Sequence, residues 1–245
     1  MENLIEERML SLRDDSQVEG LSRFFKTGQG QYGEGDRFLG IKVPVTRGVV
    51  KEIWRECGID ELEASIDSPW HEVRLCTLLV LVQIYKHARK DKEMQRRCID
   101  FYLSHTRYIN NWDLVDLSCY ELLGDWLLDK DRGVLYEFAR NGRTIWENRI
   151  GIVSCMQFIR HGECNDATAI ADILLHHSHD LIHKAVGWLL REVGKRDESM
   201  LRTYLETPAP GETMPRCATM PRTMLRYAVE KFPEADRKTY LNSRN

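Results

Sequence analysis

Hydrophobic residues recur with the period of an α-helix along almost the whole chain. Leu75, Leu78, Leu79 and Val82 follow the i, i+3, i+4, i+7 spacing of an amphipathic helix, and a Ser-Pro pair that suits a helix start precedes them. Comparable patterns predict helices at residues 2–26, 46–57, 91–104, 112–128, 131–140, 146–160, 166–177, 181–194, 198–206 and 219–231. The segment FLGIKVP is the best strand candidate and ends in Pro44. The sequence therefore predicts an all-α protein.

The predicted helix starts are regularly spaced. They fall near Trp70, Trp112, Trp146, Ile182 and Met220, at intervals of 34 to 42 residues. This period leaves room for a pair of helices and is typical of α-solenoids of the HEAT or armadillo kind. One repeat cannot bury its apolar face alone, so neighbouring repeats stack and the stack curves. The prediction is a single domain, residues 1–245, that forms a superhelix of HEAT-like repeats with a concave groove and a glycine-rich loop at about residues 27–37.

Composition narrows the possible classes of protein. The chain has 245 residues, of which 42% are hydrophobic, which is enough for a sizeable core. No stretch of 18 apolar residues occurs and the first ten residues are charged throughout, so we expect neither a membrane span nor a secretory signal. Seven scattered cysteines without a CxxC pair indicate buried, reduced thiols in a cytoplasmic protein. At a net charge of −3, a DNA-binding protein would have to segregate its positive charge onto one face.

The segment NNWDLVDLSCYELLGDW carries the most distinctive candidate chemistry. Asn110 or Asn111 can cap a helix, and Asp113 then falls in its first turn, where a carboxylate is favoured. Trp112 and Asp116 are four residues apart, which places them on one helix face. A carboxylate stabilises positive charge and an indole ring can lie against a cation. The residues alone leave open the ordinary alternative of a packed tryptophan and a solvated acid.

Several motifs resemble those of one family. INNWDLVD, IWENRIGIVS, IHKAVGWLLREVGKRD and MPRTMLRYAVEKFP, with FLGIKVPVTR near the N-terminus, are similar to segments of the AlkD family of DNA alkylation-repair glycosylases, in the family's order and spacing from about residue 20 to 233. The resemblance implies HEAT-like repeats around a DNA-binding groove and hydrolytic removal of cationic N-alkylated purines, such as 3-methyladenine and 7-methylguanine, in base-excision repair. We therefore expect double-stranded DNA with such bases as the partner, no cofactor or metal, a monomer, and a cytoplasmic location that becomes nucleoid-associated on DNA binding.

The resemblance also assigns roles to individual residues. The family's active-site tryptophan falls on Trp112, its catalytic aspartate on Asp116, its groove arginine on Arg149 and a second aromatic residue on Trp188. An N-alkylated purine is already cationic and leaves the sugar without an acid, so one carboxylate can stabilise the oxocarbenium-like sugar and orient water. The indole rings would lie against the lesion nucleotide. Arg149 would bind a phosphate or hold Asp116 ionised.

Basic residues in the C-terminal third are the candidate DNA contacts. They are Lys184, Arg191, Lys195, Arg196, Arg216, Arg222 and Arg226. Phosphate contacts of this kind position a protein without reading sequence, which suits a protein that scans for lesions. Each of these residues also fits the alternative of an ordinary solvent-exposed charge on a helix surface.

Two further motifs have ordinary explanations. The letters of Gly28 to Gly33 match GxGxxG, but a helix precedes them and Glu34 and Asp36 would repel phosphate, so we do not expect nucleotide binding. As a flexible loop, this segment could approach DNA through its amides and Lys26, and it is longer than in the better-known family members. Four histidines between residues 176 and 183 lack a cysteine partner and fit helix ends better than a metal site.

The sequence leaves one alternative function open. A HEAT-like repeat protein can also be a non-catalytic module that binds unusual DNA structures or protein partners, because fold does not settle function. The feature that separates the two hypotheses is Asp116 on the same helix face as Trp112, which a pure scaffold has no reason to keep.

Overall fold

The computed structural model describes residues 3–242, and its regular elements over that range are all helical. β-pairing in the described chain is limited to isolated bridges, Arg37 with Trp70 and Pro208 with Pro215. The predicted all-α class is therefore confirmed. Contacts divide the chain into two compact units, with the boundary between Ser118 and Cys119. The single-domain assignment stays a prediction.

The first unit is built around one long buried helix, α5. Its helices are α1 (Leu4–Leu10), α2 (Asp15–Phe24), α3 (Val43–Ile53), α4 (Ile59–Glu63), α5 (His71–His87), α6 (Lys92–Ser104), a 3₁₀ turn (Thr106–Tyr108) and α7 (Trp112–Asp116). Helices α1, α3, α6 and α7 all contact α5. Leu75, Leu78 and Leu81 are among its buried residues, so its apolar pattern does form a core.

The second unit is built around another long helix, α12. It begins with a π-helical turn (Tyr120–Gly124) and a 3₁₀ turn (Leu127–Asp129), and continues with α8 (Gly133–Asn141), α9 (Ile145–Val153), α10 (Met156–Arg160), α11 (Asn165–Ile173), α12 (Asp180–Arg196), α13 (Glu198–Glu206), α14 (Arg216–Thr219), α15 (Arg222–Ala228) and α16 (Glu234–Asn242). Helix α12 packs against α9, α10, α11, α13 and α15. Helices begin within two residues of all five predicted repeat positions.

The predicted helix at residues 112–128 is wrong in its length. Helix α7 ends at Asp116, and the Ser118 hydroxyl then donates to the carbonyl of Leu114, a side-chain bond that competes with helix continuation. Further along, a side chain at Gly124 would place its Cβ 2.5 Å from the carbonyl oxygen of Ser154. The close approach of these two backbones accompanies the irregular, π-helical turn.

The best strand candidate, FLGIKVP, forms no strand, and its last two residues begin α3. The carboxylate of Glu72 accepts the backbone amides of Leu39, Gly40 and Ile41 at 2.9, 3.0 and 3.1 Å. A side chain therefore supplies the acceptors that a neighbouring strand would otherwise provide. Leu39 and Ile41 are buried, so the apolar residues of this segment join the core without a sheet.

The cysteines and the hydrophobicity of the helices bear on two expectations from composition. All seven cysteines are free and buried, which confirms the predicted buried thiols. None of the helices between residues 3 and 242 combines the length and the hydrophobicity that a membrane span requires.

Candidate functional site

The start of α7 is fixed by a buried cap. Asn111 is fully buried and its Oδ1 accepts the amide of Trp112 at 2.9 Å. Asp113 lies in the first turn, where its carboxylate suits the positive end of the helix. The predicted cap is confirmed, and it sets the position of both Trp112 and Asp116 on this short helix.

Trp112 and Asp116 line one pocket of about 530 Å³, called here the Asp116 pocket. Both side chains are half-buried. Most of the lining is apolar and comes from α2, α5 and the segment whose backbone amides donate to Glu72. A carboxylate at an apolar surface acts on a nearby positive charge more strongly than one in bulk water. The pocket therefore joins a cation-stabilising acid to a flat aromatic ring.

Two phenylalanines at the end of α2 hold the indole of Trp112. Phe25 stacks on Trp112 with ring centroids 5.3 Å apart, and it also stacks on Phe38 at 5.1 Å. Phe24 meets Trp112 edge to face at 5.8 Å and is 61% exposed. Sequence reasoning missed this pair, because nothing local to residues 24 and 25 indicates a partner almost ninety residues away.

A buried charge network lies behind the pocket, called here the Asp36–His71–Asp113 network. His71 Nδ1 is 2.8 Å from an oxygen of Asp36, and its Nε2 is 2.9 Å from an oxygen of Asp113. The three side chains are at most 4% exposed. Arg74 also bonds Asp36, and it donates to the side chain of Asn110 at 3.0 Å.

The histidine of this network is a cation at neutral pH. Burial alone lowers the pKa of His71, but the carboxylate of Asp113 and then that of Asp36 outweigh burial and raise this pKa to about 9. Burial works to raise the pKa of Asp36, but bonding to His71 and the charge of Arg74 bring it below its ordinary value. Charge-assisted bonds therefore tie the first turn of α7 to α5 and to Asp36.

The glycine-rich loop packs against the cap of α7. A Cβ at Gly33 would lie 2.4 Å from the carbonyl oxygen of Phe25 and 3.4 Å from Nδ2 of Asn111. Other loop amides bond to side chains of the loop itself, Gly28 to Gln31 and Gly30 to Glu34. The loop thus acts as a folded support for the site, and its contact with DNA stays a prediction.

The other two predicted active-site residues lie in the second unit. Arg149, on α9, is 6% exposed and donates to the carbonyl of Leu181 at 2.6 Å, in the first turn of α12. Trp188, on α12, is half-buried and lines a second pocket of about 400 Å³, called here the Trp188 pocket. Its other lining residues are Met156, Ile159, Arg160, Glu192, Lys195 and Arg196. Convergence of all four predicted residues on one groove stays a prediction.

Several predicted DNA-binding cations have acidic partners within the unit. Lys184 pairs with Asp180 at 2.7 Å. Lys195 pairs with Glu192 at 2.8 Å. Arg191 pairs with Glu230. These pairs are partly exposed, where a salt bridge contributes little, so a phosphate could replace the carboxylate at small cost.

The remaining predicted cations differ in burial. Arg216 is buried and makes two bonds to Asp172, at 2.7 and 2.8 Å, so we leave it out of the proposed DNA interface. Arg222 donates to the carbonyl of Leu241 at 2.7 Å. Arg196 and Arg226 are exposed.

Two of the four clustered histidines order the start of α12, where His179 is the cap. Nδ1 of His179 accepts the amide of Leu181 at 3.1 Å, and Nδ1 of His177 accepts the amide of His179 at 3.0 Å. Accepting nitrogens require neutral rings, and burial lowers the pKa of both histidines accordingly. Over the described range, no group of three or more histidine, cysteine or acidic side chains could hold a metal ion.

Comparison with known proteins places this chain in a class of helical DNA-repair proteins. The family model for DNA alkylation repair enzymes matches residues 5–232. The chain therefore belongs to the DNA alkylation repair enzyme family, and its role is in the repair of alkylated DNA. This confirms the family resemblance on which the site residues were assigned.

A solved structure supports the same fold. It is described as a predicted DNA alkylation repair enzyme from Enterococcus faecalis, and it matches with a TM-score of 0.65 and 14% sequence identity over 91% of this chain and 97% of that one. At this identity the likeness shows the fold alone. A search of curated proteins finds no match.

Proposed function

We propose that the protein is a monofunctional DNA glycosylase that hydrolyses the N-glycosidic bond of cationic N-alkylated purines, such as 3-methyladenine and 7-methylguanine. The observation that carries this proposal is the shared pocket of Trp112 and Asp116. An acid and an indole that line one largely apolar pocket suit a substrate whose base and transition state are both positively charged.

The reaction needs one carboxylate. The bond between C1′ and the purine nitrogen breaks, and its electron pair neutralises the cationic base, so no acid has to protonate the leaving group. Asp116 stabilises the oxocarbenium-like sugar and orients a water molecule. Water adds to C1′, and its proton passes to Asp116 and then to solvent.

Selection of alkylated bases comes from the aromatic surface. The face of an indole attracts a cation and has no such preference for a neutral purine. Phe25 stacks on the indole of Trp112, so the ring is preorganised before DNA binds. From the second unit, Trp188 and the exposed cations, such as Arg196 and Arg226, are proposed to contact the DNA, whereas Arg149 is buried and supports the start of α12.

The test is release of 7-methylguanine from methylated duplex DNA by purified protein. Asp116→Asn should lower the rate by about 10²- to 10³-fold, the usual loss when a transition-state charge partner is removed, while DNA affinity stays within a few-fold. Asp100→Asn is the matched control, because Asp100 is an exposed acid of the same unit on α6.

Two outcomes would contradict the proposal. A normal rate for Asp116→Asn would remove Asp116 from the mechanism. A wild-type protein that binds unusual DNA structures and releases no base would favour the non-catalytic repeat module instead.

A further inference from the structure

We propose that Arg160 is a further DNA contact, which binds a backbone phosphate in the Trp188 pocket together with Arg196 and beside the indole of Trp188, two residues that the family resemblance already assigns to DNA. The inference rests on the proposed function for the identity of the partner. It adds Arg160, a residue of α10 that neither the helical pattern nor the family motifs pointed to.

The charge of Arg160 is not compensated within its unit. Its side chain is exposed, its guanidinium lies 4.8 Å from the ring centroid of Tyr120, and its Nη1 is 3.3 Å from the amide oxygen of Gln157. Within residues 3–242 it makes no ion pair. An aromatic face and one long bond to a neutral amide leave the guanidinium able to accept an anionic partner.

A glycine turn brings Arg196 next to the end of α10. Gly162 follows Arg160 by two residues and has a φ of +85°, the left-handed conformation that glycine adopts freely. A Cβ at Gly162 would lie 3.4 Å from Nη2 of Arg196. The guanidinium of Arg196 therefore lies against the turn that follows Arg160, and it too makes no ion pair with a described residue.

The pocket retains positive charge after its acid is counted. Glu192 is the acid among the lining residues, and one of its oxygens is 2.8 Å from Lys195 and 3.6 Å from Arg191. With Glu192 engaged in this way, the two guanidiniums remain for a ligand. Guanidinium groups match the geometry of phosphate oxygens, and a half-exposed indole is a stacking surface for a base or sugar.

A simpler role accounts for each cation alone. Arg160 and Arg196 lie in the last turns of their helices, where a positive charge is favoured. That role explains why cations occur at both positions. It does not require that both line a pocket of about 400 Å³ together with an indole. A DNA-binding experiment separates the two roles, because a charge that serves only its helix has no effect on DNA affinity.

The test measures affinity for a fluorescent, lesion-free duplex at several KCl concentrations. Arg160→Gln should weaken binding about tenfold, the usual loss of a bond between charged groups. The double variant Arg160→Gln, Arg196→Gln should also show a slope of log K against log salt that is shallower by about 0.9, as expected for the loss of one phosphate contact.

Arg202→Gln is the control, since Arg202 lies on α13 of the same unit and is held by Glu198 and Asp236. It should bind like the wild type. The proposal is overturned if Arg160→Gln binds as tightly as this control, or if the double variant keeps the wild-type slope.

The result can be distinguished from failure of the proposed function, because the duplex carries no lesion and no base is released. If the wild type fails to release 7-methylguanine but Arg160→Gln still weakens binding, the subsite stands without the glycosylase. If Asp116→Asn abolishes release but Arg160→Gln binds normally, the glycosylase stands without the subsite.

Discussion

The Asp116 pocket and the Trp188 pocket differ in how their charged residues are buried and paired. Behind the Asp116 pocket, His71 is a buried cation with a carboxylate on each side. Around the Trp188 pocket, Arg160 and Arg196 are exposed and make no ion pair with the described residues. Compensated, buried charges give a rigid arrangement that suits chemistry at one point, whereas exposed charges remain able to bind a polyanion.

Whether a charged residue has an ion-pair partner depends more on its burial than on the unit in which it lies. Arg216 belongs to the second unit, yet it is buried against Asp172 just as Arg74 is buried against Asp36 in the first. Both arginines have structural partners. Exposed arginines, such as Arg160 and Arg196, are the ones that remain available to DNA.

The largest expected effect is on the buried network. His71→Leu leaves Asp36 and Asp113 buried without their shared cation, which should lower the free energy of unfolding by about 3–5 kcal/mol. His176→Leu is the matched control, because the side chain of His176 is 59% exposed and pairs with Glu212. That change should cost less than about 1 kcal/mol in urea unfolding. Equal losses of unfolding free energy for the two variants would show that burial does not decide how much each histidine stabilises the fold.

A second prediction concerns alkaline pH. The pKa of His71 is about 9 in the folded protein, whereas in the unfolded chain it returns to its ordinary value of about 6.5. The stabilisation by His71 is therefore complete below about pH 6.5 and is lost as the pH rises through 9. The difference in unfolding free energy between wild type and His71→Leu should shrink by about 3 kcal/mol between pH 6 and pH 10. A constant difference would mean that His71 is neutral in the fold.

Helix positions were predictable because their signals are local. Asn111 caps the helix that contains Trp112, and the repeat marker Trp70 precedes α5 directly. Both features depend on a few neighbouring residues. The pairing of Trp112 and Asp116 in one pocket follows from their four-residue spacing for the same reason.

Tertiary partners were not predictable from such signals. His71 bonds to residues 35 and 42 positions away, and before the fold is known its sequence context is only that of an ordinary helix start. Arg216 was a candidate DNA contact because no acid occurs between Thr213 and Val229, but its partner Asp172 is 44 positions away in the sequence. Packing in the folded protein decides which charged residues have a partner of opposite charge. It therefore also decides which charged residues support the fold and which remain available to bind DNA.

The smallest expected effect tests whether rigidity matters for the chemistry of the Asp116 pocket. Asn111→Ala removes the cap of α7, and Asp91→Ala removes the cap of α6, where Asp91 accepts the amide of Met94 at 2.9 Å. Each change should lower the free energy of unfolding by about 1 kcal/mol.

Only Asn111→Ala should also slow the release of 7-methylguanine, because Trp112 and Asp116 lie on the helix that Asn111 caps, whereas α6 does not line the pocket. Stability and single-turnover rates of both variants measure the two effects separately. If the two variants release the base equally fast, the cap of α7 stabilises the fold without positioning Asp116. The contrast between the pockets would then lie in their polarity and not in their rigidity.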